Sequence, residues 1–379
     1  MKIINIPHAN SQMPDTDNAG NTLITQLTIK GFKGFESFEM NPLSRLTLLG
    51  GRNNVGKTSV LEALFMLHDR LNSQVILRQL SWRGVSAIGF DPQSMWAPIF
   101  TGYQLGQQIE IAIVVKGKKE TMRVVYNPRH EVLALASQNH SQGGMPAQIR
   151  TDQKPVSFYS LDTTYENSEG QQTSHLLMGP NSLELHSEHI PLHGRKATFI
   201  SARAPGNPTE DAHRFGQLDI IGRQESIVSF LKIIEPRLKS LSSVSMGDMS
   251  LIHGDIGLSR KIPVAYMGDG ISRLLSIILA IATTTNGMVL IDEFENGIHY
   301  SVMSKIWKAI GLAAREYNCQ MICTTHSYEC LEAAQQGLVG ELADDFSYIR
   351  IDRDDNTCTA KCFDHNTLAI ALKNNMEVR

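Results

Sequence analysis

Five side chains in this sequence, Lys57, Thr58, Asp292, Glu293 and His326, have the types and settings for chemistry on a phosphate. The first two stand in the stretch Gly51-Arg52-Asn53-Asn54-Val55-Gly56-Lys57-Thr58-Ser59, which fits G-x-x-x-x-G-K-[ST]. Glycines there let the backbone wrap a phosphate so closely that its N–H groups point inward as donors. Lys57 would reach the β- and γ-oxygens, and the Thr58 hydroxyl would ligate Mg²⁺. All nine residues, Arg52, Asn53, Asn54, Val55 and Ser59 included, are expected to line a bound nucleotide.

The other three side chains follow short apolar runs. Met288-Val-Leu-Ile291 precedes Asp292-Glu293, and a buried strand ending in Asp would set that charge beside the Mg²⁺ held by Thr58. Glu293 is then placed to orient and deprotonate an attacking water. Ile322-Cys-Thr-Thr-His326 ends a further apolar run. An imidazole there has two readings: a hydrogen bond to the γ-phosphate, or a cap on a core strand.

These residues need strands and helices to hold them. Arg45–Leu49 reads as a buried strand entering the loop, and Val60, Leu61, Leu64, Phe65 and Leu71 recur at helical spacing after it. A phosphate would then sit on a helix N-terminus. Thr22–Phe38 alternates as strand, and the turn Gly31–Phe35 carries two aromatics toward the loop, as core or as an adenine contact. Gln104–Leu135 reads as strands with a turn at Lys116–Lys119, Gln138–Gln153 as a long loop, and Ala197–Ser201 as a further buried strand. Asp211–Ser240 has a helical pattern and is expected to form an arm packed on the head. From Ile271 onward strands and helices alternate, which implies an α/β fold with a parallel sheet.

Composition narrows the setting. A 42% hydrophobic content supports a real core, and a formal net charge of −3 gives no global attraction to nucleic acid or anionic membrane. No apolar run approaches a membrane span. The N-terminus shows no secretory pattern, and five cysteines, an odd number, beside a phosphate loop favour reduced thiols and a cytoplasmic setting.

The order of motifs, phosphate loop, long interval, Gly268-Asp269-Gly270, Asp292-Glu293 and His326, resembles that of the ABC-type ATPases, in the branch holding SMC, RecF and OLD-like proteins. The Gly-x-Asn-Asn-x-Gly-Lys form of the loop looks like the OLD-type version. Met267-Gly-Asp-Gly-Ile-Ser-Arg273 lies where that family keeps its signature, and Phe294–His299 matches its D-loop. The resemblance implies ATP and Mg²⁺ as cofactors and an ABC-type head, its mixed or parallel sheet flanked by helices, with a β-rich lobe and a helical insertion. The expected divisions are a flexible tail over 1–20, an N-terminal lobe over 21–204, a helical arm over 205–262 and a C-terminal lobe over 263–379. One departure stands out. The signature serine, which meets the γ-phosphate across a dimer, is replaced by Gly268; backbone N–H groups of Gly268–Gly270, or Ser272, would have to substitute. Gln79 is the candidate for the family's Q-loop.

The resemblance also implies a homodimer or higher homo-oligomer, in which paired heads sandwich two ATP molecules and open on hydrolysis. The leading expectation is an ATPase subunit acting on a separately encoded nuclease or toxin, as in anti-phage systems such as Septu, PARIS, AbiL and the retron-linked ATPases, with DNA or a phage component as a further partner. The alternative is a RecF- or SMC-like repair ATPase that binds DNA directly. Other constellations receive plainer readings. His186, His189 and His193 read as solvated, Cys319/Cys323 and Cys358/Cys362 as strand pairs packed in the core, and Asp352-Arg-Asp354 as a hairpin turn rather than a nuclease motif.

Overall fold

The computed structural model describes residues 23–68, 79, 91–132, 156–179, 183–187, 195–202, 207–247, 249–355 and 357–378. The tail expected over 1–20, the loop Gln138–Gln153, Leu71, His189 and His193 lie outside these residues. The described part is a mixed α/β fold.

Its centre is a six-stranded sheet built from β3 (Leu46–Gly50), β9 (Ala197–Ile200), β13 (Met288–Ile291), β14 (Gln320–Thr324), β15 (Phe346–Asp354) and β16 (Thr357–Asp364), in the order β16-β15-β3-β14-β13-β9. The five strands from β15 to β9 run parallel, and β16 returns antiparallel as the expected hairpin. Both faces are buried. On β13, Val289 and Ile291 enter one core and Met288 and Leu290 the other; on β14, Met321 and Cys323 part from Ile322 in the same way. Continuous apolar runs are what such doubly covered strands require.

One face is covered by α4 (Asp269–Thr283), α5 (Tyr300–Glu316) and α6 (Tyr328–Gly337), with α2 (Pro208–Ile220) and α3 (Gln224–Leu231) packed on α4. The other face holds α1 (Lys57–His68). Beyond α1 lies a second sheet, seven antiparallel strands in the order β2-β1-β4-β5-β6-β7-β8. These are β1 (Ile24–Phe32), β2 (Phe35–Met40), β4 (Gln108–Val115), β5 (Lys118–Val132), β6 (Val156–Asn167), β7 (Gly170–Met178) and β8 (Leu183–Ser187). Caught between two sheets, α1 buries every residue from Ser59 to His68. Its helical spacing is real, but it has no solvent face.

Two expectations need correction. The stretch 205–262, expected as a helical arm or insertion, is helical only through α2 and α3; the chain then forms β10 (Ser240–Met246), β11 (Met249–Asp255) and β12 (Ile262–Pro263), a small antiparallel sheet. Phe215, Leu218, Ile227 and Leu231 pack into the main helical core. The stretches on either side of it share one sheet, because β3 is flanked by β14 and β15 and β9 pairs with β13. Finally, Cys319, Cys323 and Cys358 are buried but Cys362 is exposed, since β16 is an edge strand. Ile322 is fully buried in the core around α1. Ile322→Ala is therefore expected to cost about 2–5 kcal/mol, read as a lower urea midpoint at unchanged slope.

Candidate active site

The parallel strands bring the carboxyl ends of β3, β13 and β14 together, and the chemistry-bearing residues follow those ends. β3 leads into Gly51–Ser59, which turns through left-handed backbone at Gly51 (φ 126°), Asn54 (φ 64°) and Gly56 (φ 103°) before α1 begins at Lys57. Two of these glycines are also required by space. A Cβ on Gly51 would stand 2.2 Å from the Ile351 carbonyl oxygen, and one on Gly56 would stand 2.5 Å from the Phe35 ring. Phe35 thus supports the loop from below as core, stacked on Phe38 at 4.7 Å between ring centroids. Arg52, Asn53 and Asn54 are exposed, whereas Val55 and Ser59 are buried.

Two residues not singled out in the sequence hold the loop's surroundings. Arg353 on β15 donates to the carbonyls of Asn54, at 3.3 Å, and Gly34. Lys33, in the β1–β2 turn, pairs with the fully buried Glu62 of α1 at 2.6 Å. No motif marks them, because their roles come from β15 and the second sheet meeting the loop.

Lys57 Nζ donates to the carbonyls of Gly51 at 2.7 Å and Arg52 at 3.0 Å. Burial lowers its pKa, against the opposing pull of Glu295, Asp292 and Glu293. Thr58 Oγ1 donates to Asp292 Oδ1 at 3.0 Å, although the two are 234 residues apart. Thr324 Oγ1, at the end of β14, donates to the same Oδ1 at 2.7 Å and accepts from the Glu293 N–H at 2.8 Å. Burial raises the Asp292 pKa in spite of the Thr324 and Thr58 hydrogen bonds. Two oxygens 3.0 Å apart fit adjacent corners of an Mg²⁺ octahedron, whose bonds of about 2.0–2.1 Å set neighbouring ligands about 2.9 Å apart. The Thr58 and Asp292 oxygens therefore suit that cation.

Glu293 adopts φ 50°, and its Oε2 accepts from Asn296 Nδ2 at 2.8 Å. Glu295 accepts from the His326 backbone N–H at 2.9 Å and lies 3.0 Å from His326 Nδ1; the imidazole is half-exposed. Thr324 is not marked as a member of the site by its sequence, and Glu295 and Asn296 stand in the Phe294–His299 stretch expected as the D-loop, which assigns no role to either.

Comparison with known families bears on this arrangement. Residues 46–332 match the family described as an AAA domain, putative AbiEii toxin, type IV TA system. The chain belongs to this family. The AAA-type ATPase domain spans the phosphate loop, the Asp292 strand and His326 together. A protein of Helicobacter pylori (strain ATCC 700392 / 26695) named ATP/GTP phosphatase is 22% identical over 347 residues, covering 83% of this chain and 88% of that one. Among solved structures, an SMC head bound to the C-terminal winged-helix domain of ScpA aligns over 92% of this chain and 99% of its own, at 12% identity and a TM-score of 0.49. The SMC head of Thermotoga maritima aligns over 90% and 99%, at 11% identity and a TM-score of 0.41. Among the described residues no helix is long and apolar enough to cross a membrane.

The remaining expected residues lie on other elements. Gly268 (φ 118°, exposed) precedes α4 without a side-chain cap, and Asp269 and Gly270 open the helix. Among the described residues no hydrogen bond joins Gly268–Gly270 to Gly51–Ser59. Ser272 donates its hydroxyl to the Val264 carbonyl at 3.1 Å, which turns it back into its own subunit. Gln79 is buried. A cavity of about 400 Å³ beside the first turns of α4 is lined by Asp211, Asp269, Ser272, Arg273, Ser276 and Asn296 among others.

Two expectations follow. Gly56→Ala forces a side chain into both left-handed backbone and the Phe35 ring; it should displace the loop, cost about 1–3 kcal/mol of stability and abolish nucleotide binding in calorimetric titration. Burial raises the Asp211 pKa above its ordinary 3.8, a shift that Ser276 and Arg214 only partly oppose. A raised carboxyl favours folding below its unfolded pKa, and that advantage is lost as pH rises through the folded value. Asp211→Asn should therefore gain thermal stability relative to the parent as pH rises above about 4, read from unfolding midpoints across a pH series.

Proposed function

We propose that this ATPase hydrolyses ATP with Mg²⁺ held by Thr58 and Asp292, and that two such heads close on nucleotide to control a separate effector. The observation that carries the reading is the 3.0 Å contact between Thr58 Oγ1 and Asp292 Oδ1, which unites the phosphate loop and the acidic strand at one point. The cation supplies charge neutralisation on the β- and γ-phosphates when bound.

The chain's own residues divide the remaining work. Backbone N–H groups of Gly51–Ser59 and the N-terminus of α1 cradle the phosphates, and Lys57 reaches the β- and γ-oxygens. Glu293, aimed by Asn296 Nδ2 on one carboxylate oxygen, takes a proton from the attacking water. Thr324 is a positioning residue, since it holds both the Asp292 carboxylate and the Glu293 N–H. Glu295 engages His326 through Nδ1, leaving Nε2 for the γ-phosphate.

Gly268 and Asp269 are exposed at the start of α4, and among the described residues no hydrogen bond ties Gly268–Gly270 to the phosphate loop of the same chain. That exposed helix start supports a contact in trans, in which the α4 N-terminus and its N–H groups meet the γ-phosphate held by a second copy. Ser272 is excluded from that contact as long as it bonds Val264. ATP then binds the closed pair better than the open heads, and hydrolysis releases it. The family description names a putative toxin of a toxin–antitoxin system; control of a separate nuclease or toxin in defence against phage rests on the resemblance in motif order.

Glu293→Gln should reduce steady-state hydrolysis by about 10²- to 10⁴-fold with nucleotide affinity retained. Light scattering on that variant should show a mass doubling on addition of ATP and Mg²⁺; a monomer unchanged by ATP would remove the sandwich. Affinity capture of the same variant from its native host should retain a stoichiometric protein partner. Recovery of DNA without such a partner would instead favour a repair ATPase.

A further inference from the structure

The second sheet carries a separate cluster of titratable side chains on the face that bears Asp162. Asp162 on β6 lies directly opposite His175 on β7 and opposite Val125 on β5, and directly opposed residues share a face. Asn127 opposes Ser160 while His130 opposes Phe158, so β5 contains one residue more than β6 across this step. A regular strand would return Arg129 to the face of Asn127. The bulge returns His130 there instead, with Pro128 inside the bulge, where a strand tolerates proline.

The bulge and the carboxylate are tied by one side chain. Asn127 Oδ1 accepts from the Arg129 N–H at 3.0 Å, and its Nδ2 donates to Asp162 Oδ2 at 3.2 Å. Ser160 Oγ donates to Asp162 Oδ1 at 2.7 Å. His175 Nδ1 lies 2.7 Å and His130 Nδ1 3.6 Å from that same Oδ1, and the two imidazole rings are 4.5 Å apart at their centroids. Burial opposes ionisation of Asp162, yet hydrogen bonds from His175, Ser160 and Asn127 hold its carboxyl below the ordinary range. All three ligand atoms lie within 4.8 Å of one another, on half-buried side chains.

Two imidazoles and one ionised carboxylate form a donor set that suits zinc more than calcium or magnesium. Tetrahedral bonds of about 2.0–2.1 Å set ligand atoms about 3.3 Å apart. The separations of 2.7 and 3.6 Å bracket that spacing. We propose that His130, Asp162 and His175 form a site for a divalent cation of the zinc class, which staples β5, β6 and β7 and takes water as its fourth ligand. Asn127 and Ser160 hold the carboxylate in place. Coordination through Nδ1 requires each neutral ring to carry its one proton on Nε2, a relocation through solvent that leaves the charge of the ring unchanged. His186 opposes His175 on β8 but is turned toward Glu184, 3.5 Å away, and stays outside the set.

The test uses the full chain, stripped with chelator and free of nucleotide, titrated with Zn²⁺ by calorimetry and with Co²⁺ for its ligand-field absorption. One equivalent should bind, with a tetrahedral Co²⁺ spectrum and a rise in thermal midpoint. His175→Gln and the near-isosteric Asp162→Asn should lose all three signals while their ATP hydrolysis persists, showing that they fold. Asn127→Ala should weaken binding by about 10- to 100-fold, and Asp292→Asn should leave it unchanged. No stoichiometric uptake by the parent chain overturns the proposal. So does uptake that survives both His175→Gln and Asp162→Asn, or that is lost only in Asp292→Asn.

Discussion

The shared carboxylate oxygen of Asp292 is the constraint on which the site depends. Thr58 and Thr324 both donate to it, one from the start of α1 and one from the end of β14. Thr324 ends its strand and Thr58 opens the helix that follows the loop after β3, and only a parallel sheet gathers such ends along one edge. The carboxylate is taken largely out of water, so its charge is costly until a cation arrives. Burial raises the pKa accordingly. The fold holds an oxygen pair at the spacing that a small divalent cation demands, and the energetic cost of doing so is met by two large cores on either side of the sheet.

The phosphate loop is equally a product of its surroundings. Its glycines leave room for a carbonyl of β15 and for the Phe35 ring at the start of β2, so both sheets press on the same loop. Arg353 closes one side, and the Lys33–Glu62 pair anchors the turn that carries Phe35. A buried ion pair of this kind adds little net stability against an apolar equivalent, but removing one partner strands the other charge. Its effect is to fix where the second sheet sits over α1. The β-rich lobe is therefore joined mechanically to the nucleotide loop, and a metal bound across β5–β7 would stiffen the outer part of that same sheet.

The turn at Gly268–Gly270 obeys a different logic. It is exposed, lacks a side-chain cap and has open space around Gly268. A helix N-terminus in that state offers free N–H donors. The cavity beside it reaches from Arg273 to Asn296, which also holds Glu293. The first turns of α4 and Asn296, the hydrogen-bond partner of Glu293, thus share one wall.

Local pattern was enough to identify several parts of this protein. Gly51–Ser59, the Met288–Ile291 strand with Asp292-Glu293, and the strand before His326 each depend on neighbours in the chain, so residue type and spacing report them directly. The alternation of strands and helices after Ile271 was legible for the same reason. What the tertiary structure decided depends on contacts between distant segments. The burial of α1 from Ser59 to His68, the pairing of β9 with β13, and the packing of α2 and α3 on α4 follow from which sheet covers which helix. Thr324, Asn296 and Glu295 gain their roles only when three strand ends meet. His130 meets Asp162 only because one extra residue in β5 reverses its face. Period-two pattern cannot show such a reversal until the partner strand is known.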